Sequence, residues 1–296
     1  MCRIMNFVKY VAFLLVTVPP VIADAPWFTL VSNNSTGPGS IRCGGVLVHP
    51  DIVLTAGECA DMPNNTVLRV GYRNDTDADF LVAYTMVVNH PNQWIGGNFR
   101  FQENLPNDLQ LIKLNQSITG IQPIKLYDGC CGYDDDNMQS LYFAQAGTPT
   151  DFFDVPKEGF PQSRPPKPFN LGSAMSQKVY HTSLQEGSVF TKNFIHCRRE
   201  YVDIPGYHAK LKESVQFCTE SNTSSPCDSN AWGSPLYNNE TGEPILVGIA
   251  SQGECTPGGL PHIYTRIAHY FDFLRERICN MTSVQQSTID CLELTT

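Results

Sequence analysis

The sequence contains no apolar segment long enough to cross a bilayer as a helix. The apolar run from Val11 to Val18 falls well short of the roughly 20 residues that a transmembrane helix needs, and no later segment is long and apolar enough. Cations are also scarce, because 20 Lys and Arg residues face 29 Asp and Glu residues, which leaves a formal charge of -9. Phosphate backbones are bound through clustered cations, so we expect neither a membrane span nor a nucleic-acid partner.

The composition also lacks the low hydrophobicity and high charge of disordered proteins. With 42% hydrophobic, 10% aromatic and 17% charged residues, the chain is predicted to be globular. Its 296 residues correspond to about two compact units at roughly 150 residues per domain. No repeat of solenoid length is visible, and short β-rich segments alternate with Gly, Pro, Asn and Asp, which is typical of sandwiches and barrels. These segments are Val67 to Tyr72, Phe80 to Val88, Leu109 to Leu114, Ile245 to Ala250 and Ile263 to Ile267.

The N-terminal residues have the pattern of a secretory signal peptide. Arg3 and Lys9 precede the apolar run, and Ala23, Asp24 and Ala25 form a cleavage pattern of the A-x-A type. We therefore expect residues 1–25 to be a signal peptide and the mature protein to be secreted and extracellular. Eleven cysteines agree with this compartment, because disulfides form and persist in oxidising environments.

Asn-x-Ser/Thr acceptor sites are frequent, which predicts a glycoprotein whose modified loops lie on the surface. Some matches are expected by chance, and the adjacent Asn33 and Asn34 are not expected to be used together. The sites are Asn33, Asn34, Asn64, Asn74, Asn115, Asn222, Asn239 and Asn280.

Four blocks of residues follow one another in a recognisable order. The first, from Arg42 to Cys59, reads R-C-G-G-V-L-V-H-P-D-I-V-L-T-A-G-E-C, and the second, Asn107 to Leu114, reads N-D-L-Q-L-I-K-L. The third, Cys227 to Leu236, reads C-D-S-N-A-W-G-S-P-L. The fourth begins at Val247 as V-G-I-A-S-Q-G, continues through Cys255 and ends with P-H-I-Y-T-R at Arg266.

These blocks resemble those of the chymotrypsin/trypsin-like (S1) serine proteases, which read C-G-G-x-L-I…W-V-L-T-A-A-H-C, N-D-I-x-L-I-x-L, C-x-G-D-S-G-G-P-L and V-G-I-x-S-W-G…C…P-G-V-Y-T-R. The resemblance covers the chain from about Ala25 to Cys279. It implies an all-β fold of two six-stranded antiparallel β-barrels with a C-terminal α-helix. A nucleophilic serine, a histidine base and an orienting aspartate would meet in the cleft between the barrels.

The implied organisation is an N-terminal β-barrel over residues 26–130, a C-terminal β-barrel over 131–265, a helix over 266–279 and a tail over 280–296. Two further stretches are predicted to be loops: Gly129 to Asp136, the expected junction between the barrels, and the proline-rich Pro156 to Pro168. The helix is also predicted by an apolar face at helical spacing, formed by Ile267, Tyr270, Phe271, Leu274 and Ile278.

The catalytic positions implied by the resemblance are degenerate. Glu58 stands where the family has its histidine, and a carboxylate with an ordinary pKa of about 4.3 is a weak base toward an alcohol. Asp108 matches the family aspartate, and Ser251 is expected to donate a hydrogen bond to it. The third block has one extra residue, so the nucleophile position falls on Ala231 when counted from Cys227 and on Trp232 when counted back from the proline. Neither side chain has a hydroxyl.

Activation is also expected to be absent. Relatives become active when cleavage frees an I-V-G-G type N-terminus whose amine pairs with the aspartate beside the nucleophile. Here Ala25 to Leu30 resembles the strand that follows that N-terminus, and Asn230 or Ala231 occupies the aspartate position. The extra residue should also disturb the pair of backbone N–H groups that would bind an oxyanion.

The specificity-pocket positions implied by the resemblance are Ser225, Ser251, Gln252, Gly253 and His262. Ser225 occupies the position that is acidic in relatives that cleave after Arg or Lys. Gln252 replaces the tryptophan of the substrate-binding strand, and His262 replaces a glycine that leaves the pocket open. We expect His262 to fill that space, and a new catalytic or metal-binding role for it is the alternative.

The resemblance also implies three disulfides, which are Cys43 with Cys59, Cys197 with Cys218, and Cys227 with Cys255. The remaining mature cysteines allow three pairings. We favour Cys279 with Cys291, and the alternative ties the loop between the barrels to the end of the helix. A free Cys130 or Cys131 would also permit a disulfide-linked dimer.

No cofactor is predicted, and calcium is the one metal considered. Some relatives bind calcium in a loop near Asn74, Asp75, Asp77 and Asp79, and clustered oxygen ligands suit this ion. The acidic run from Asp134 to Asp136 is predicted to be a solvated charge run.

These observations predict a secreted, non-catalytic homologue that acts by binding a protein, as a decoy, cofactor or inhibitor of secreted enzymes. The residues do not select the partner. An active S1-type endopeptidase is the alternative, with Ser229 or Ser234 as nucleophile, both off register, and His262 or His269 as base. A passive structural or storage glycoprotein is a third hypothesis.

Overall fold

The computed structural model describes residues 25–33, 42–60, 66–74, 77–89, 107–129, 141–147, 183–202, 211–220, 232–252 and 260–282. Within them the chain forms strands β1 (Phe28–Asn33), β2 (Arg42–His49), β3 (Ile52–Thr55), β4 (Thr66–Asn74), β5 (Asp77–Val82), β6 (Tyr84–Asn89), β7 (Gln110–Leu114), β8 (Lys125–Leu126), β9 (Leu141–Gly147), β10 (Ser183–Lys192), β11 (Gln216–Glu220), β12 (Pro235–Asn238), β13 (Ile245–Gln252) and β14 (His262–Arg266). A 3₁₀ turn spans Gly57–Ala60, and the α-helices are α1 (Phe194–Val202) and α2 (Ile267–Met281).

The first half of the chain forms an antiparallel sheet in the order β4-β1-β2-β3-β7-β6, with β5 paired to the outer side of β4. This barrel therefore has the six predicted strands along its path and one further strand beside it. Its interior is filled by branched aliphatic side chains that are fully buried, among them Leu30, Val46, Ile52, Leu68 and Ile112. The β-branched valine and isoleucine side chains among them favour strands because they pack well on a pleated surface.

The second half forms a closed ring of six antiparallel strands. β9 pairs with β10, β10 with β11, β11 with β14, β14 with β13, β13 with β12, and β12 with β9. Aromatic and aliphatic residues fill this ring, including Phe143, Val189, Phe217, Leu236 and Tyr264. The predicted all-β architecture of antiparallel barrels with a C-terminal helix is confirmed.

The chain reaches the second barrel before the predicted boundary at residue 130. β8 runs parallel to β13, and the Tyr127 backbone N–H donates to the Leu246 carbonyl at 3.0 Å. Tyr127 also belongs to the apolar core of the second barrel. Helix α2 packs beside these strands and buries Ile267, Tyr270, Leu274 and Ile278, so the predicted apolar face is confirmed apart from Phe271, which is partly buried.

Three features of the secondary structure differ from the sequence predictions. Helix α2 covers Ile267–Met281 rather than 266–279, which places Asn280 in its last turn rather than in the tail. The predicted segment Phe80 to Val88 is divided at Ala83 between β5 and β6, because β5 pairs with β4 and β6 pairs with β7. Helix α1 was not predicted.

Among the described residues no helix is both long and apolar enough to cross a bilayer.

The residues at the expected cleavage site are part of the first core. Ala25 is buried, and its carbonyl accepts a hydrogen bond from the Phe28 backbone N–H at 2.9 Å. Cleavage after Ala25, as predicted, would remove this contact.

Candidate functional site

The first block places Glu58 in a short turn that is fixed on both sides. β3 ends at Thr55, the chain continues into the 3₁₀ turn Gly57–Ala60, and Cys59 is bonded to Cys43 of β2. Because a disulfide restricts the distance between the two segments that it joins, the turn is held against β2. The Glu58 side chain lies outside the described part of the chain.

Asp108 lies between the two barrels and is almost fully buried, with 3% of its surface exposed. The Ser251 hydroxyl of β13 donates a hydrogen bond to Asp108 Oδ2 at 2.5 Å, so the predicted donor is confirmed. The Thr265 hydroxyl of β14 donates to the Asp108 carbonyl oxygen at 3.2 Å. A buried carboxylate is costly without a hydrogen-bond donor, and Ser251 supplies one here. Together the side-chain and backbone contacts tie two strands of the second barrel to a residue of the first.

Asn107 sets the direction from which the chain enters β7. Its φ of 76° lies in the left-handed region, which asparagine adopts more readily than most residues. The Asn107 backbone N–H donates to the Tyr270 hydroxyl oxygen at 2.9 Å, and the Tyr270 hydroxyl donates to Asn107 Oδ1 at 3.0 Å. Helix α2 thereby fixes the turn that positions Asp108.

The third block is described from Trp232 onward, and its backbone forms hydrogen bonds with β2 on one side and β13 on the other. The Gly44 N–H donates to the Trp232 carbonyl at 2.7 Å, and the Gly233 N–H donates to the Ala250 carbonyl at 2.8 Å. Trp232 itself directs its side chain outward, with 39% of the residue exposed. An aromatic side chain therefore occupies the surface where this segment meets β2 and β13.

Gly233 is required by the packing of this segment. Its φ of 77° is in the left-handed region, and a Cβ atom there would lie 2.2 Å from Thr55 Oγ1 and 2.4 Å from the Gly44 carbonyl oxygen. The next residue, Ser234, is 2% exposed. Its Oγ packs against Gly44 and has no hydrogen-bond partner within the described ranges.

The pocket positions are described only in part. Ser251 is buried, Gln252 is described for its backbone alone, which lies opposite Ile263, and His262 lies in β14 opposite Thr219. Burial lowers the pKa of His262 to about 4, so its imidazole is neutral at neutral pH. The predicted positions that lie outside the described residues are Ser225, Ala231 and Gly253, together with Ser229 of the alternative hypothesis.

Two of the predicted disulfides are confirmed, Cys43 with Cys59 and Cys197 with Cys218. Cys279 is also disulfide-bonded, to a cysteine outside the described residues, because the other described cysteines are all paired with one another. Pairing of Cys227 with Cys255, and of Cys279 with Cys291, stays a prediction. Cys130 and Cys131 lie outside the described ranges.

Exposure differs among the predicted glycosylation sites. Asn115, directly after β7, and Asn280, in the last turn of α2, are exposed, and Asn74 and Asn239 are partly exposed. The Asn33 side chain lies outside the described part of the structure, as do Asn34, Asn64 and Asn222.

The acidic residues considered for calcium are engaged by a cation. The Arg73 guanidinium donates to both Oδ atoms of Asp77 and to Asp79 Oδ1, the last at 2.6 Å. Asp75 is not among the described residues. Within those that are, no group of three or more His, Cys, Asp or Glu side chains is placed to hold a metal ion.

Comparison with known proteins identifies the family. The model of the family described as Trypsin matches residues 16–152 and 168–274, which is more than half of the chain. The chain belongs to the trypsin family. It is 23% identical over 272 residues to vitamin K-dependent protein C of Oryctolagus cuniculus, a match that covers 86% of this chain and 50% of that protein. It is 25% identical over 285 residues to the CLIP domain-containing serine protease B15 of Anopheles gambiae, covering 84% of this chain and 65% of that protein.

The trypsin-family chain thus spans between half and about two thirds of these two relatives. Among solved structures, the scabies mite inactivated protease paralogue S-I1 is similar with a TM-score of 0.59 and 21% identity, covering 87% of this chain and 96% of that one. Neuropsin, a serine protease of mouse brain, is similar with a TM-score of 0.55 and 22% identity, covering 86% and 95%. These likenesses support the chymotrypsin-like fold.

The packing that links Gly44, Thr55 and Gly233 was not predicted from the sequence. The Thr55 hydroxyl donates to the Gly44 carbonyl at 2.6 Å, and that carbonyl closes the space beside Gly233. The glycines of the first and third blocks were the available signal, since a glycine is needed where two backbones approach closely. Gly44 and Gly233 are far apart along the chain, so their contact was not apparent from local patterns.

Proposed function

We propose that this trypsin-family chain is a secreted protein that binds another protein and does not hydrolyse peptides. The observation that carries the proposal is Trp232, an exposed indole at the position where counting back from Pro235 puts the nucleophile. An indole has no hydroxyl and cannot form the acyl intermediate on which serine protease chemistry depends.

The packing of Gly233 supports that count. The family pattern S-G-G-P puts a glycine directly after the nucleophile, and Gly233 is the residue that the local packing requires to be glycine, with its positive φ and a close approach to Thr55. Residues 232–235 match the four positions of this pattern one for one, without an inserted residue. The extra residue of the third block then lies before Trp232.

The proton-transfer apparatus supports the same proposal. The block that supplies the family histidine has Glu58, and a carboxylate accepts a proton from an alcohol poorly near neutral pH. Asp108 is held by the Ser251 hydroxyl, which gives the buried carboxylate a structural partner. In subtilisin, loss of the serine or the histidine of the triad costs on the order of 10⁶ in turnover.

The alternative nucleophile and bases are poorly suited to hydrolysis. Ser234 is buried and packs against Gly44, so its hydroxyl does not face a substrate. His262 has a pKa lowered to about 4 by burial, which makes it a weak proton acceptor. His269 is exposed on helix α2, where its ring lies edge-on to Tyr270 with centroids 4.8 Å apart.

Protein binding is the activity that the remaining surface favours. Exposed tryptophans are enriched among the residues that dominate the binding energy of interfaces, and Trp232 has a backbone fixed by hydrogen bonds to its carbonyl and to the next residue. The two disulfides agree with an extracellular location. The fold is shared by neuropsin and by the mite paralogue described as inactivated, so the fold alone leaves the activity open and the proposal rests on the site residues.

An activity-based fluorophosphonate probe, used beside a library of fluorogenic peptides, tests the absence of hydrolysis. We expect no labelling that depends on the native fold and no peptide turnover, with active trypsin as the positive control. Labelling of native but not denatured protein, abolished by Ser229→Ala or Ser234→Ala and retained in Ser214→Ala, would overturn the proposal. Ser214 is an exposed serine outside the candidate site.

Protein binding needs its own test. The native chain is immobilised on a support and incubated with its source fluid. We expect it to retain a partner at stoichiometric yield, and we expect Trp232→Ser to reduce that yield strongly. Met86→Ser, which removes a similarly exposed apolar side chain from β6, is the matched control. Retention of no partner would favour a structural or storage glycoprotein, and equal losses in the two variants would contradict a role for Trp232.

A further inference from the structure

Helix α1 is held firmly on one side of the second barrel. Its buried face is formed by Phe194, Cys197 and Tyr201. Cys197 is bonded to Cys218 of β11, and the Tyr201 hydroxyl donates to the Pro261 carbonyl at 2.5 Å. The opposite face of the helix is thereby presented in a fixed orientation.

The start of the helix is fixed as well. Asn193 Oδ1 accepts hydrogen bonds from the backbone N–H groups of Ile195 at 3.1 Å and His196 at 3.3 Å, which is the geometry of a helix N-cap. Lys192 donates to Glu200 at 2.7 Å and to Glu220 at 3.0 Å, so it ties the helix to β11. A surface that is ordered before binding loses less entropy when a partner docks.

A groove of about 640 Å³ lies between this helix and residues 211–214. Phe194 and Leu211 form its apolar floor, and both are buried. Ile195 and Val202 stand at its rim with 57% of each residue exposed. Because they are seven residues apart, they lie on the same helix face, so the groove combines an apolar floor with two exposed apolar side chains.

Cations surround the same groove. Arg198, Arg199 and Lys212 line it and are exposed, and none of the three forms an ion pair with any residue of the described ranges. Glu213 is the one carboxylate in the lining that the structure describes. In a chain with a formal charge of -9, three cations around one groove form a local positive patch.

We propose that this groove binds an acidic segment of a partner protein that carries an aliphatic or aromatic residue among its carboxylates. The carboxylates would pair with Arg198, Arg199 and Lys212, and the apolar residue would cover Phe194 and Leu211. The groove shares no residue with the candidate site around Trp232, so this inference stands whether or not the chain hydrolyses peptides.

The apolar floor favours an acidic peptide over a polyanion that has no apolar side chains. A sulfated polysaccharide would pair with the cations but has no apolar side chain to place on Phe194 or between Ile195 and Val202. Arginine forms bidentate pairs with planar carboxylates, and adjacent Arg198 and Arg199 offer two such groups. An extended acidic peptide supplies both kinds of contact.

The test measures binding of a fluorescent decapeptide in which Asp and Glu residues flank a central Leu-Phe pair. Two companion peptides carry either Asn and Gln in place of the acids or Ser-Gly in place of Leu-Phe, and heparin is the polysaccharide probe. We expect the acidic peptide with Leu-Phe to bind best and its affinity to fall with added salt. The Arg198→Ala/Arg199→Ala variant should bind it about tenfold more weakly, and Ile195→Ser should weaken it through the apolar contact alone.

The matched control is Arg275→Ala/Arg277→Ala, which removes two arginines from helix α2 at the same change in net charge. It should bind the peptide as the native chain does, and circular dichroism should give both double variants the native spectrum. The proposal is overturned if the amide peptide binds equally well, if the two double variants lose affinity equally, or if heparin binds through Arg198 and Arg199 while no peptide does.

Discussion

Ser251 Oγ lies 2.5 Å from Asp108 Oδ2, and this hydrogen bond joins β13 of the second barrel to a residue two positions before β7 of the first. In an active triad the aspartate would orient an imidazole, whereas the block that would supply the imidazole here has Glu58. Asp108 is therefore best understood as a buried acceptor that fastens the two barrels together.

Ser251→Ala should lower the free energy of unfolding by about 1–3 kcal/mol, because it removes a donor from a buried carboxylate. Chemical denaturation measures the loss. Ser214→Ala, at an exposed position, is the control and should change stability little. Equal stability of the two variants would show that the hydrogen bond to Asp108 contributes nothing measurable.

Gly233→Ala should destabilise the protein far more than Gly242→Ala. Both glycines have a positive φ, 77° and 81°, so an alanine at either one carries the left-handed penalty of roughly 1–2 kcal/mol. Only at Gly233 would the new Cβ also collide with Thr55 Oγ1 and the Gly44 carbonyl, since no described atom lies within 4 Å of it at Gly242. Thermal unfolding of both variants separates the steric cost from the conformational cost. Similar melting temperatures would contradict a steric cost at Gly233.

The sequence predicts this fold well where a local pattern or a motif block reports the structure. Helix α2 was predictable because four buried side chains repeat at helical spacing over its length. Helix α1 has nine residues, three of them buried, so its periodic pattern is too short to stand out, although Asn193 was a usable N-cap signal.

Contacts between distant residues account for what the sequence did not predict. Phe80 to Val88 is one extended segment in sequence, and its division at Ala83 arises because the two halves pair with different strands. Lys113 is flanked by apolar residues in β7, and the sequence gives no sign that its charge is buried beside Asp51, 62 positions away. At the site, the Asp108 environment followed from the motif blocks, whereas the groove beside α1 matched no motif.

Asp51→Asn should cost about 3 kcal/mol of unfolding free energy, because it leaves the buried Lys113 ammonium without its carboxylate. Asp51 accepts hydrogen bonds from Lys113 and, at 2.6 Å, from His49 Nδ1. Burial raises the pKa of Asp51, but these bonds outweigh it and hold that pKa below its ordinary value. The double variant Asp51→Asn/Lys113→Met should recover part of the loss in a double-mutant cycle, and strict additivity would argue against the pair.

Acidification should destabilise the protein through His262. Burial lowers its folded-state pKa to about 4 from an ordinary 6.5, so between these values the unfolded chain binds a proton that the folded chain does not. The free energy of unfolding should therefore fall as pH drops through this window, on the order of 1–3 kcal/mol. His262→Gln should flatten the fall. The same slope in this variant and in the native protein would assign the effect to other groups.

Peptide mapping under non-reducing conditions should recover Cys279 linked to Cys291. Gly129 lies against Ala268 at the start of α2, where its Cβ would be 3.3 Å from the alanine Cβ, and Cys279 is eleven residues further along the helix, about 16 Å away at 1.5 Å per residue. A disulfide needs Cα atoms within about 7 Å, and Cys279 lies well beyond that distance from the helix position that Gly129 contacts. Cys291 follows Cys279 by only twelve residues in sequence, which favours Cys291 as its partner. Cys291→Ser should leave Cys279 open to alkylation, and Cys131→Ser should not. Recovery of a peptide joining Cys279 to Cys130 or Cys131 would instead tie the segment between the barrels to the end of the helix.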